Sequence, residues 1–104
     1  MHFRSAQIRT IATLQVEQLQ RRLDERRITL RLTEEALDEL ARVGFDPVFG
    51  ARPLKRAVRD HLETPLAREI LAGNISDGDV VDALPSAQAG GPLRFVVQEI
   101  APAN

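Results

Sequence analysis

Gly44-Phe45-Asp46-Pro47-Val48-Phe49-Gly50-Ala51-Arg52-Pro53-Leu54-Lys55-Arg56 reads as a loop that ends where a helix starts. Gly44 fits the position just past a helix end, where a left-handed backbone favours glycine. Asp46-Pro47 is a turn dipeptide. Pro53 suits the first helical position, because its missing N–H would have no intrahelical partner there. Arg52, Lys55 and Arg56 then crowd the start of that helix. The macrodipole is already positive at that end, so each cation costs about 0.3 kcal/mol locally. No Asp or Glu falls between Pro47 and Arg59 to offset them. Two readings fit this pattern. One is a place where a phosphate is stabilised. The other is a solvated basic face, with Asp60 four residues after Arg56 as a weak partner.

The flanks supply the elements around this loop. Upstream, Thr33 is placed to cap a helix whose first turn holds Glu34 and Glu35, the charge sign the dipole favours. Ala36, Leu37, Leu40 and Ala41 form its inner face, and Val43-Gly44 ends it. Before it, Arg27 to Leu32 alternates polar and apolar, the period of a half-buried strand with Ile28, Leu30 and Leu32 inward. Earlier still, Ile8, Ala12, Val16, Leu19 and Leu23 recur at three or four, which predicts a helix to about Glu25 with Ser5 as its cap. Met1 to Arg4 reads as a frayed end. Within the loop, Phe45, Val48 and Phe49 are expected to be buried anchors. Downstream, Leu54, Ala57, Val58 and Leu62 share one helical side. Thr64-Pro65 reads as a new cap and first position, which predicts a separate fourth helix to Ala72 with Leu66, Ile70 and Leu71 inward and Gly73 as terminator. Asp77-Gly78 is a turn signal. Val80 to Leu84 is a short strand, and Leu93, Phe95 and Val97 mark a last one after the Pro85–Pro92 connection. Ala101 to Asn104 is expected to be disordered. The expected fold is α+β: about four helices packed on a small three-stranded sheet. It forms a single domain over residues 1–104 with an ordered core over about 6–100.

Composition narrows the function classes. The chain has 104 residues, enough for one small domain. Its 14 basic and 15 acidic side chains leave a net charge of −1, which gives no electrostatic case for nucleic acid or an anionic membrane as the main partner. Cysteine is absent, which removes disulfides, thiolate metal sites and a Cys nucleophile. His2 and His61 stand far apart and do not make a metal site. Asp77, Asp79 and Asp82 have the wrong spacing for a calcium loop. The basic set Arg21, Arg22, Arg26, Arg27 and Arg31 is interspersed with Glu17, Asp24 and Glu25 and reads as solvated surface. No membrane partner, nucleic-acid partner or metal site is therefore expected.

The run from Gly44 to Arg56 resembles the signature of the C-terminal small (lid) subdomain of Clp-family AAA+ ATPases. The stretches Arg26 to Leu37 and Leu62 to Gly73 are similar to the same subdomain, so the resemblance covers roughly Ile8 to Leu84. It is closest to the ClpB disaggregase branch. The resemblance implies the same α+β small-subdomain architecture. It also implies that Arg52 is the sensor-2 residue reaching the nucleotide phosphates, with Gly50 letting the backbone turn tightly beside ATP and Ala51 leaving room for it. Magnesium would be held by a large subdomain upstream.

This chain has no Gly-x-x-x-x-Gly-Lys-Ser/Thr loop and no apolar run leading into Asp-Glu, so alone it is not expected to hydrolyse ATP. The resemblance implies a cytoplasmic, homohexameric chaperone of the stress response. Each lid would contact its own large subdomain and the neighbouring subunits. The parent would thread unfolded or aggregated polypeptide and cooperate with a DnaK-type chaperone. Two alternatives stand beside this reading. One is the lid of a ClpA- or ClpC-type unfoldase that feeds a peptidase. The other is a free-standing, non-enzymatic interaction module, which would show no large exposed apolar patch.

Overall fold

A computed structural model describes residues 5–88 and 90–98, with side chains from residue 7 onward. The expectations for Met1–Arg4, His2, the side chain of Ser5 and Ala101–Asn104 lie outside them. Helix α1 spans Ser5–Asp24 and strand β1 spans Thr29–Leu32. Helix α2 spans Glu34–Val43. Helix α3 runs without a break over residues 54–71, and strands β2 (Val80–Leu84) and β3 (Arg94–Val97) follow. The sheet order is β1-β2-β3, with β1 parallel to β2 and β2 antiparallel to β3. The architecture is α+β, as expected.

Most local expectations match. Thr33 is extended at φ −69° and ψ 161°, and its hydroxyl accepts from the Ala36 N–H at 3.1 Å. Ile8, Ala12, Leu19 and Leu23 of α1 pack inward, as do Ile28, just before β1, and Leu30 within it. Leu40, Leu54, Leu62, Leu66 and Val81 complete a core of aliphatic side chains. Each fully buried Leu contributes about 1.5–3 kcal/mol. On the opposite sheet face, Arg31 pairs with Asp82 at 2.9 Å and Asp82 also takes the amide of Gln98, so one polar chain runs from β1 across β2 to the residue that follows β3.

The outer edge of β1 has an unforeseen partner. The backbone N–H groups of Thr29 and Thr33 bond toward β2. The Ile28 carbonyl and the Leu30 N–H therefore face away from it. Gln20 of α1 meets both: its amide N–H donates to Ile28 at 2.9 Å, and its carbonyl accepts from Leu30 at 2.8 Å. A single side chain stands in for a neighbouring strand at the start of this edge and blocks pairing there.

The helix count differs from expectation: there are three helices, not about four. Thr64 does not cap a new helix. Its φ of −66° and ψ of −47° are helical, and its N–H donates to Arg59, five residues back, in a π segment over Arg59–Glu63. The cause is Pro65. It has no N–H, so the carbonyl an α-helix would pair with it, that of His61, is left over. That carbonyl accepts from the Leu93 N–H at 3.0 Å. The His61 ring also lies here, with Nδ1 2.9 Å from the Gly91 carbonyl. A carbonyl only accepts, so this Nδ1 carries the proton. The two bonds fasten the β2–β3 connection to the π segment, and the helix passes through its proline. Past this point Leu71, expected inward, is 87% exposed.

Gly44 is a second correction. It follows α2 as expected, but at φ −90°, not in the left-handed region. Its requirement is space. A Cβ there would meet Leu54 Cδ1 at 2.4 Å and Leu54 Cα at 2.8 Å. Pro53 likewise sits one step earlier than expected, as the capping residue before Leu54, with its carbonyl accepting from Ala57 at 2.9 Å. After α3, Gly73 does take a positive φ, at +84°, and it has open space around it.

These two glycines separate sterics from backbone strain. Gly44→Ala is expected to cost about 2–3 kcal/mol by forcing α2 and α3 apart. Gly73→Ala is expected to cost about 1 kcal/mol through the left-handed conformation alone. Urea titrations of both variants check the order; a Gly44 penalty no larger than that of Gly73 would remove the close-contact explanation.

Candidate functional site

The loop between α2 and α3 is held by its own polar groups. Asp46 and Gly50 exchange both backbone hydrogen bonds at 2.7 Å, closing a ring of five residues. Inside it, the Asp46 carboxylate accepts from the Val48 N–H at 2.7 Å and the Phe49 N–H at 3.0 Å. This is an Asx turn, the local reason for Asp at this place. Gly50 turns the chain at φ +66°. The Arg52 N–H then donates to Phe49 at 3.2 Å and the Leu54 N–H to Ala51 at 3.0 Å, leading directly into α3.

The expected buried anchors are not buried. Val48 is 82% exposed, Phe49 58% and Phe45 38%. With the backbone already pinned, Val48 and Phe49 can face out. Phe49 instead supports the site, because the Arg52 guanidinium lies over its ring, 5.3 Å from the centroid. Such a cation–π contact at an exposed site is worth roughly 0.5–1 kcal/mol and narrows the directions in which Arg52 can point.

Arg52 opens onto a crevice of about 520 Å³ between α1 and α3. The loop and α3 line it with Arg52, Lys55, Arg56, Arg59 and Glu63, and α1 lines it with Gln15, Gln18 and Arg22. Gly50 is buried and Ala51 packs against the core; neither lines the crevice. The structure thus brings Arg52, Lys55 and Arg56 together as the helix spacing implied. The suggested Arg56–Asp60 pair is not formed: Asp60 lies 3.3 Å from Arg59. Sequence reasoning missed the α1 wall. Its link to α3 is the Arg22–Glu63 pair at 2.6 Å, across 41 residues, and no local pattern announces it.

The weaker candidates resolve into structure. Arg26 pairs with Asp77 and Arg31 with Asp82, so these members of the basic set are compensated surface. Asp79 accepts from the Ser76 N–H at 2.8 Å. Among the described residues no group of three or more His, Cys, Asp or Glu side chains could hold a metal ion. No helix among them is long and apolar enough to cross a membrane. What the crevice can do chemically is stabilise an anion, since its cations outnumber its single carboxylate and that carboxylate is already paired.

Comparison with known proteins gives the family. The family described as the C-terminal, D2-small domain of ClpB protein matches residues 3–83. The chain is 59% identical over 78 residues to the chaperone protein ClpB 1 of Thermosynechococcus vestitus, covering 75% of this chain and 9% of that protein. It is 61% identical over 72 residues to the chaperone protein ClpB of Meiothermus ruber, covering 69% of this chain and 8% of the relative. To the chaperone protein ClpB of Vibrio cholerae it is 51% identical over 74 residues, covering 71% and 9%. The chain therefore spans about a tenth of the length of these relatives or less.

The Asx turn is open to test apart from any ligand. Asp46→Ala is expected to speed amide exchange at Val48 and Phe49 by about tenfold, while global stability falls by about 1 kcal/mol. Exchange at these amides that matches the parent would mean that the loop is held by something other than the carboxylate.

Proposed function

Because this chain belongs to the family of C-terminal, D2-small domains of ClpB, we propose that it is the lid over the nucleotide of an ATP-dependent disaggregase. In this reading Arg52 is the sensor-2 residue. Its guanidinium stabilises charge on the phosphoryl group being transferred. Gly50 sets the turn that brings Arg52 forward, and Ala51 keeps the backbone beside it slim. ATP supplies the phosphates, and the large subdomain of the same protein holds the magnesium and the attacking water. The parent is a homohexamer in the cytoplasm that extracts polypeptide from aggregates together with a DnaK-type chaperone.

The observation that carries this reading is the state of Arg52. It has no carboxylate partner among the described residues, it rests on Phe49, and it opens onto a basic crevice. An arginine held in place but left uncompensated is suited to an anion brought by something else. The exposed Val48, Phe49 and Leu71 support a surface that is covered in the assembled protein, and they count against a self-contained module.

Arg52→Ala in the complete ATPase is expected to lower the hydrolysis rate on the order of 100-fold, the cost of losing one preorganised charge donor. The same variant of the isolated chain should melt within roughly 5 °C of the parent, since Arg52 is exposed and only its contact with Phe49 is lost. Steady-state ATPase kinetics check the first expectation; unchanged kcat and nucleotide affinity would sink the sensor role.

A further inference from the structure

We propose that Lys55 and Arg56 form a second phosphate seat, so that the crevice takes a phosphate chain instead of a single phosphoryl group. This assignment extends the reading of Arg52 as a phosphate ligand and rests on it for the first seat. Lys55, Arg56 and Arg59 follow one another over the first turns of α3, Arg52 precedes them at the end of the loop, and all four line the crevice. The outer two cations lining the crevice are compensated: Arg59 by Asp60 at 3.3 Å, and Arg22 by Glu63 at 2.6 Å. The inner three are not. Among the described residues Arg52, Lys55 and Arg56 form no ion pair, and the only carboxylate lining the crevice is the one Arg22 already uses.

Three uncompensated cations within a few residues repel one another, and solvent screens this less in a crevice than on an open surface. A single phosphate carries about −2 at neutral pH, short of their combined charge. A chain of phosphates matches it and is long enough to reach from Arg52 to the next turn of the helix. On the facing wall Arg22 is already paired with Glu63, and Gln15 and Gln18 offer amide N–H donors to phosphate oxygens. The ligand class is an oligophosphate, whether the phosphate chain of a nucleotide or an inorganic polyphosphate.

The test uses the chain itself at low ionic strength without magnesium, with inorganic monophosphate, inorganic tripolyphosphate and ATP as probes, read by amide NMR shifts. Tripolyphosphate is expected to bind roughly tenfold more tightly than monophosphate and to move signals across residues 52–59. Lys55→Gln with Arg56→Gln should remove about that tenfold advantage and leave monophosphate binding near the parent value. Both side chains are exposed, so an unchanged melting temperature confirms that the fold is intact. Equal affinity for the two inorganic probes, or a double variant that binds tripolyphosphate like the parent, overturns the second seat. Loss of tripolyphosphate binding in the double variant with none in Arg52→Ala supports the second seat and removes Arg52 from the site. ATP binding more tightly than tripolyphosphate identifies a nucleotide as the source. Equal binding identifies the phosphate chain alone.

Discussion

The contact between Gly44 and Leu54 sets the geometry on which the rest of this molecule depends. Leu54 is buried, and its Cα comes so near Gly44 that even a methyl group between them would clash. The end of α2 and the start of α3 are thereby held against each other. The intervening residues 45–53 must leave and return over a very short span. A ring closed by Asp46 and Gly50 satisfies that demand, with the carboxylate of Asp46 occupying the N–H groups inside it. Arg52 follows that ring directly, so its position is inherited from a helix–helix contact.

This division of labour explains why the loop can display apolar side chains. Backbone and Asx hydrogen bonds supply the rigidity, so Val48 and Phe49 need not be buried to hold the shape. Phe49 can then serve Arg52 as a platform. The site combines a stiff backbone with an exposed cationic end. That combination suits a residue that meets a ligand held by another body, because little ordering entropy remains to be lost on contact.

Much of the fold was legible because its signals are local. The 3.6-residue recurrence in α1, the alternation before α2, the Thr33 cap and the two C-terminal strands each depend on neighbours within a few residues. The cationic stripe of Arg52, Lys55 and Arg56 was legible for the same reason. What was hidden depends on distant partners. Thr64-Pro65 carries every local mark of a new helix, and only the Leu93 N–H, which serves the orphaned His61 carbonyl, lets the old one continue. Leu71 groups in sequence with Leu66 and Ile70, which do face inward, but at five residues past Leu66 it lies about 140° round the helix from it and points out. Gly44 looks like a left-handed cap until Leu54 is placed beside it. The α1 wall of the crevice is tied in through Glu63, far away in the chain.

The clamp of Gln20 on β1 bears on the order in which the chain assembles. β1 lies parallel to β2, so their pairing must wait for roughly 50 intervening residues and meets a closure cost of roughly 3.5 kcal/mol before any ladder bond offsets it. Gln20 lies within about ten residues of Ile28 and Leu30, a loop that closes in well under a microsecond. One flank of the strand is therefore spoken for long before its sheet partner arrives. In a crowded setting that early occupation trims the sticky frontage that a nascent, half-made chain presents to its neighbours.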